Sequence, residues 1–407
     1  MKERRLAMNR MIYLDNAATT RTADEVLVCM LPFLKDSYGN PSSIYDLGAD
    51  NKDAIAEARK QIAAVLSCSP QNLFFTSGGT ESDNWALIGT AESRVRQGKH
   101  LITSKIEHHA ILHTCEYLER RGFEITYLDV DEQGFVRKET LMNALRPDTI
   151  LVSIMTANNE IGTIQPIGEL GELLKDHPAY FHTDAVQAFG QMPIIPEKWH
   201  IDLLSASSHK FHGPKGAGFL YVREGIELPS FLHGGKQERG RRAGTENVAA
   251  IVGMGRAAEL AAQTMKEREQ RERKLRDYMI SRIEKEIPYC HLNGPRRQRL
   301  ANNVNISFSF VEGETLVVLL DMEGICCSGG SACTSGQTEA SHVLKAIHLE
   351  PEIARGALRF TLNEETTRED IDYTVDCLKN VLEQSRRMNA SYRSFAALNQ
   401  GQAGSSV

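Results

Sequence analysis

From Phe74 to Leu204 the chain repeats one pattern: a short apolar run, a polar or glycine-containing turn, then a stretch with helical spacing. The apolar runs are Phe74-Phe75, Leu101 to Thr103, Ile125 to Leu128, Thr149 to Met155, the run around Tyr180-Phe181, and Ile201 to Leu204. This alternation predicts an α/β fold with a mostly parallel sheet, because parallel neighbours need a crossover between them. Ligands of such sheets sit beyond the carboxyl ends of the strands. Gly79, His108, Asn159, Asp184 and Lys210 all fall at such ends, which predicts one shared site.

Lys210 stands where the run Ile201 to Leu204 gives way to Ser207-Ser208-His209-Lys210 and a Gly-Pro-Lys-Gly turn. A lysine held near apolar chain has its charged form disfavoured, and its neutral amine can attack a carbonyl. Thr76-Ser77-Gly78-Gly79-Thr80 reads as strand, glycine turn and helix start. Such a turn aims backbone N–H groups and the positive helix end at an anion. No Gly-Lys-Ser/Thr closes it, so it is not a P-loop. Tyr180 to Gln187 reads as a strand running into a helix start.

Elsewhere the spacing predicts helices from about 23 to 35, 49 to 66, 247 to 287 and 368 to 383. The long helix from 247 is the natural boundary between a large first domain and a smaller second one. Cys326 to Gly336 is a loop rich in glycine and serine, and the tail from 390 is small and polar. The net charge of −6 suggests neither a nucleic-acid nor a membrane surface. No apolar run reaches membrane-spanning length, and the charged start has none behind it, so no secretory signal is expected. Eight scattered cysteines in 407 residues fit a reducing cytoplasm, not a disulfide framework.

Together the motifs resemble a known family. They are Tyr-Leu-Asp-Asn-Ala-Ala-Thr-Thr at 13–20, Gly-Asn-Pro-Ser-Ser at 39–43 and Thr-Ser-Gly-Gly-Thr-Glu-Ser-Asp-Asn at 76–84. Glu-His-His-Ala at 107–110, Asn-Asn-Glu-Ile-Gly at 158–162, Asp-Ala-Val-Gln at 184–187 and Ser-His-Lys at 208–210 follow. Arg-Ala-Gly-Thr-Glu-Asn at 242–247 and Gly-Ser-Ala-Cys-Thr-Ser-Gly at 330–336 complete the set. The chain resembles the cysteine desulfurases of the NifS/IscS kind, pyridoxal-phosphate enzymes of the aspartate-aminotransferase fold. The resemblance implies a large domain over 15–255 and a smaller α+β domain from 1–14 with 256–387. The latter carries the cysteine loop, and 388–407 form a mobile tail.

The resemblance also implies the chemistry. Lys210 matches the lysine that holds pyridoxal 5′-phosphate as a Schiff base, and Asp184 the carboxylate facing the ring nitrogen. His108 matches the residue that stacks on the ring and moves protons. Asn159 and Gln187 match partners of the ring hydroxyl. Gly79, Thr80, Ser207 and His209 match the phosphate cradle, and Thr245 a threonine that reaches the other subunit's phosphate in a homodimer. Arg359, with Asn159, would hold the substrate carboxylate. Cys333 would be the nucleophile, its thiolate taking sulfur from L-cysteine as a persulfide and leaving L-alanine. Expected acceptors are iron–sulfur scaffold proteins or tRNA-thiolation partners. No intrinsic metal site is expected, although the resemblance allows Cys333 to share an iron–sulfur cluster briefly with a scaffold. No direct contact with nucleic acid or membrane is expected. Cys29, Cys68, Cys115, Cys290 and Cys377 read as core cysteines, and Cys326 and Cys327 as structural.

Some positions depart from the family pattern: Tyr45 for a frequent His, Ser328-Gly329-Gly330 for Ser-Ser-Gly, and Asn363 for a frequent glycine. Rival readings are a nicotinamide dehydrogenase on Gly253-Met254-Gly255-Arg256-Ala257-Ala258, a metal or sulfur scaffold on Cys326, Cys327 and Cys333, and a selenocysteine lyase or related elimination enzyme. The first lacks the strand and turn its motif requires. The second lacks the paired spacing of structural zinc. The third is separated by relative turnover of cysteine and selenocysteine.

Overall fold

The computed structural model describes residues 11–330 and 341–395. Strand β1 (Ile12–Tyr13) precedes helices α1 (Asp24–Lys35) and α2 (Asp46–Leu66). Then come β2 (Leu73–Thr76), α3 (Gly79–Arg94), β3 (His100–Ser104), α4 (His109–Glu119) and β4 (Glu124–Leu128). Next are α5 (Lys138–Ala144), β5 (Thr149–Ser153), α6 (Ile167–Leu174), β6 (Tyr180–Asp184), β7 (Leu203–Ser207) and β8 (Gly218–Val222). Helix α7 (Val248–Glu286) leads to β9 (Cys290–Leu292), β10 (Asn303–Phe308), α8 (Gly313–Met322), β11 (Ile325–Cys326) and β12 (Ser328–Gly329). Short α9 (His342–Ala346) and α10 (Pro351–Ala354), β13 (Ala357–Thr361) and α11 (Arg368–Met388) follow.

The large sheet runs β2-β8-β7-β6-β5-β3-β4. Neighbours from β7 to β4 are parallel. β8 is antiparallel to both β2 and β7. The link from Ser208 to Ala217 is too short for a crossover, so β8 returns beside β7 in the opposite sense. Strands β2, β3, β5, β7 and β8 are buried along their whole length, as a sheet covered on both faces requires. A second sheet, β12-β13-β10-β9, is antiparallel, and β1 pairs with β11.

One expectation changes. No helix starts after Asp184: Ala185 to Gln191 form tight turns, with Ala188 and Phe189 N–H donating to the Ala185 carbonyl. Gly190 ends them at φ 77°, a conformation that a helix cannot continue through. Gly253 and Gly255 lie inside α7, and they serve packing. A Cβ on Gly253 would meet Met30 Sδ at 2.6 Å, and one on Gly255 the Ala58 Cα at 2.7 Å, so the glycines let α7 lie close on α1 and α2. Along α7 the packing changes. Ala257, Ala258 and Ala261 belong to the core of the large sheet, whereas Met279, Ile280 and Ile283 belong to the core beneath β10, β13 and α11.

Candidate active site

The parallel strands all release their chains at the same sheet edge, where a cavity of about 330 Å³ opens. Gly79, Thr80, His108, Asn159, Asp184, Gln187, Ser207, His209, Lys210 and Arg359 all line it. Thr245 is exposed and is not among the lining residues. Cys333 lies outside the described residues.

Each side chain is positioned by local chemistry. Gly79 opens the sixteen-residue helix α3, so first-turn N–H groups and the positive helix end face the cavity. A Cβ on Gly79 would meet Val186 Cγ2 at 2.6 Å. Glu81 steadies the turn by accepting from Ser77 N–H at 2.7 Å and pairing with Arg242 at 2.8 Å. His108 is the N-cap of α4, its Nδ1 accepting from Ala110 N–H at 3.1 Å. Of the adjacent asparagines, Asn158 is structural: its Oδ1 accepts from the N–H groups of Glu160 and Ile161, both at 2.9 Å. That turn leaves Asn159 facing the cavity. His109 instead joins His113 and His342, with ring centroids 5.0 and 4.7 Å away.

The Lys210 amine donates to the carbonyls of Ala17 and Ala18, at 2.5 and 2.9 Å. Burial, then the Arg359 guanidinium, push it down to about 8, against a smaller opposing pull from Asp184 and Asp15. Burial raises the Asp184 carboxyl to about 6, although the Val186 N–H at 2.8 Å and Lys210 favour its charged form. Burial, then Lys210, lower His108 to about 4. Burial, then Lys210 and Lys215, do the same to His209. These imidazoles are neutral near pH 7 and can accept protons. The site therefore offers a reactive amine, a buried acid, a neutral histidine and an anion-binding turn. That set fits a phosphate-bearing carbonyl compound with a basic ring nitrogen.

Several contributors were not singled out from the sequence. The Ala17 carbonyl accepts from both Lys210 and Gln187, the latter at 2.9 Å. Asp83 is 1% exposed and lines the cavity, and burial, then Asp184, push its carboxyl well up. Its signal was an acid on the stripe Gly79, Ser82, Asp83, Ala86 and Thr90, the buried face of α3. Burial also raises Glu107 to about 8 while its carboxylate accepts from Met155 N–H at 3.0 Å. Of the cysteines expected in the core, Cys115 is buried, Cys68, Cys290 and Cys377 are partly buried and pack against the two cores, and Cys29 is partly exposed on α1. Cys327 is buried, and burial pushes its thiol to about 12.

Residues 12–374 match the family Aminotransferase class-V. The chain is 53% identical over 382 residues to the cysteine desulfurase IscS of Dictyoglomus turgidum, covering 94% of this chain and 97% of that one. Among solved structures, a NifS-like protein superposes with a TM-score of 0.87 at 40% identity, covering 92% of this chain and 100% of that one. A protein named SspA, solved in complex with cysteine, superposes with a TM-score of 0.74 at 36% identity, covering 86% of this chain and 99% of that one. The chain belongs to the class-V aminotransferases and, within them, to the cysteine desulfurases.

Proposed function

We propose that this protein takes sulfur from L-cysteine, releases L-alanine and passes the sulfur on through a persulfide at Cys333. The observation that carries the reading is the convergence of Lys210, Asp184, His108, the Gly79 turn and Arg359 on one cavity from distant parts of the chain. Pyridoxal phosphate, when bound, supplies the electron sink for this chemistry.

Lys210 would hold that group, and its amine, already lowered to about 8, is poised to attack a carbonyl near neutral pH. Gly79, Thr80, Ser207 and His209 would cradle its phosphate at the head of α3. Asp184 would hold a proton toward the ring nitrogen, and Asn159 and Gln187 would orient the ring. His108, neutral at working pH, would accept and return a proton beside the substrate carbon. Arg359 would take the substrate carboxylate. The Cys333 thiolate would attack the substrate sulfur: an S–S bond forms, the carbon–sulfur bond breaks, and the carbon gains a proton to give alanine. A second thiol or an acceptor protein then removes the outer sulfur.

The same reading makes the protein a homodimer. Leu27, Val28, Leu31 and Leu34 expose one side of α1, continued by Tyr38, Ile44 and Tyr45, a patch fitted to burial against a second copy. Thr245, exposed on its loop, would complete the neighbouring subunit's phosphate site. Its acceptors would be an iron–sulfur scaffold or a tRNA-thiolation protein, in the cytoplasm. No helix among the described residues is long and apolar enough to cross a membrane. We place the domain division within α7, between Ala261 and Met279, where the packing changes core.

The test is borohydride reduction of the yellow protein followed by peptide mapping. The label should sit on Lys210, and Lys210→Ala should lose the colour. A label on another lysine would sink the assignment.

A further inference from the structure

Arg359 enters the cavity from β13, and what holds it there is a residue with no place in the chemistry so far. Arg359 Nη2 donates to Asp15 Oδ1 at 2.8 Å and to Ser328 Oγ at 3.0 Å, and Ser328 Oγ donates to the same Asp15 oxygen at 2.8 Å. On its other side, Nη1 donates to the Asn159 carbonyl at 3.1 Å. Three segments meet at this triangle: the chain leaving β1, strand β12, and β13. The backbone sets them in register, with Ser328 opposite Arg359 in the β12–β13 pair and Asp15 bridged to Thr361. The Arg359 and Asp15 side chains are 10% and 18% exposed, so the pair is largely shielded from water.

Asp15 does not line the cavity, whereas Arg359 does. The carboxylate therefore stands behind the guanidinium. Buried Nε has no partner among the described residues, Nη1 is tied on one side to the Asn159 carbonyl, and Nη2 is taken up by Asp15 and Ser328. A guanidinium fixed in this way keeps unspent N–H donors for an incoming carboxylate.

We propose that Asp15 is a positioning residue for substrate recognition: with Ser328 it locks the Arg359 guanidinium in the orientation that receives the amino-acid carboxylate. This rests on the reading of Arg359 as the substrate arginine. The role is one of binding. It predicts that loss of Asp15 raises KM for carboxylate-bearing substrates and leaves the bond-breaking steps nearly as fast.

The test uses the full-length holoenzyme and the variants Asp15→Asn, Asp15→Ala, Ser328→Ala and Arg359→Lys. Two quantities are read: steady-state turnover of L-cysteine, and affinity for L-cysteine and for cysteamine, which lacks the carboxylate, from the absorbance change of the bound cofactor. Asp15→Ala should raise KM for L-cysteine about tenfold with kcat within about threefold of wild type. Asp15→Asn, which keeps an oxygen acceptor, should fall between, and Ser328→Ala should shift KM in the same direction by less. Cysteamine affinity should be unchanged in all three. Should Asp15→Ala fail to fold, the Asp15→Asn and Ser328→Ala pair carries the test. An unchanged KM in Asp15→Asn, or a parallel loss of cysteamine affinity, overturns the proposal. Arg359→Lys separates the two levels. If it leaves KM for L-cysteine unchanged, the reading of Arg359 itself fails. If it raises KM while the Asp15 variants do not, only the positioning role fails.

Discussion

At the scale of single residues, the lysine carries a pH signature. Burial and the Arg359 guanidinium lower the Lys210 amine from the usual 10.5 to about 8. Only the neutral amine attacks a carbonyl, so the reactive fraction grows as pH rises and saturates once pH passes the lowered value. Capture of pyridoxal phosphate by cofactor-stripped protein should accelerate about tenfold per pH unit below 8 and level off above it. Stopped-flow absorbance measures this directly. A rate still climbing steeply between pH 9 and 10 contradicts it, because that is the behaviour of an ordinary lysine. The lysine was legible in the sequence from its place after an apolar run. The Ala17 and Ala18 carbonyls that receive its amine were not, because backbone acceptors leave no mark on residue type. Asp15 was visible in a motif, but its partner Arg359 is 344 residues away and only the β13 register brings them together.

At the scale of elements, the loop between β8 and α7 is held by one buried carboxylate. Glu238 accepts from both terminal nitrogens of Arg59 on α2, at 2.8 and 2.6 Å, and from Phe75 N–H on β2 at 2.9 Å. Its side chain is 3% exposed and that of Arg59 12%. Removing one partner strands a desolvated charge, which costs about 3–5 kcal/mol. In a chain of 407 residues, Glu238→Ala should therefore lower the thermal midpoint by about 1 °C for each of those kcal/mol. A calorimetric scan showing a shift under about 2 °C would falsify this account of the clamp. The motif around Thr245 was readable in the sequence, but the path of this loop was not. Glu238 and Arg239 adopt left-handed backbone, φ 44° and 59°, at residues that give no such hint. The turn after Asp184 was misread for a related reason: Ala185-Val186-Gln187 carries no turn residue, and Gly190, at φ 77°, decides otherwise.

At the scale of the molecule, alternation of apolar runs and helical spacing was enough to predict the parallel sheet and the edge at which the site forms. It did not predict that β8 would run antiparallel between β2 and β7, because strand direction depends on link length and neighbours that periodicity does not encode. The long helix α7 was legible as an element, yet where its packing passes from one core to the other emerges only from tertiary contacts. This architecture gathers a cavity of about 330 Å³ at one sheet edge and ties Arg359 to the strand that precedes the cysteine segment, through Ser328 and Asp15. The central claim is that sulfur leaves L-cysteine for Cys333. It is tested by measuring alanine and sulfide released from L-cysteine with a reductant present, for wild type and for Cys333→Ala. The account predicts equal amounts of both products from wild type, and loss of both in the variant while its yellow cofactor is retained. Full activity in Cys333→Ala would contradict it and move the chemistry to a direct elimination at Lys210.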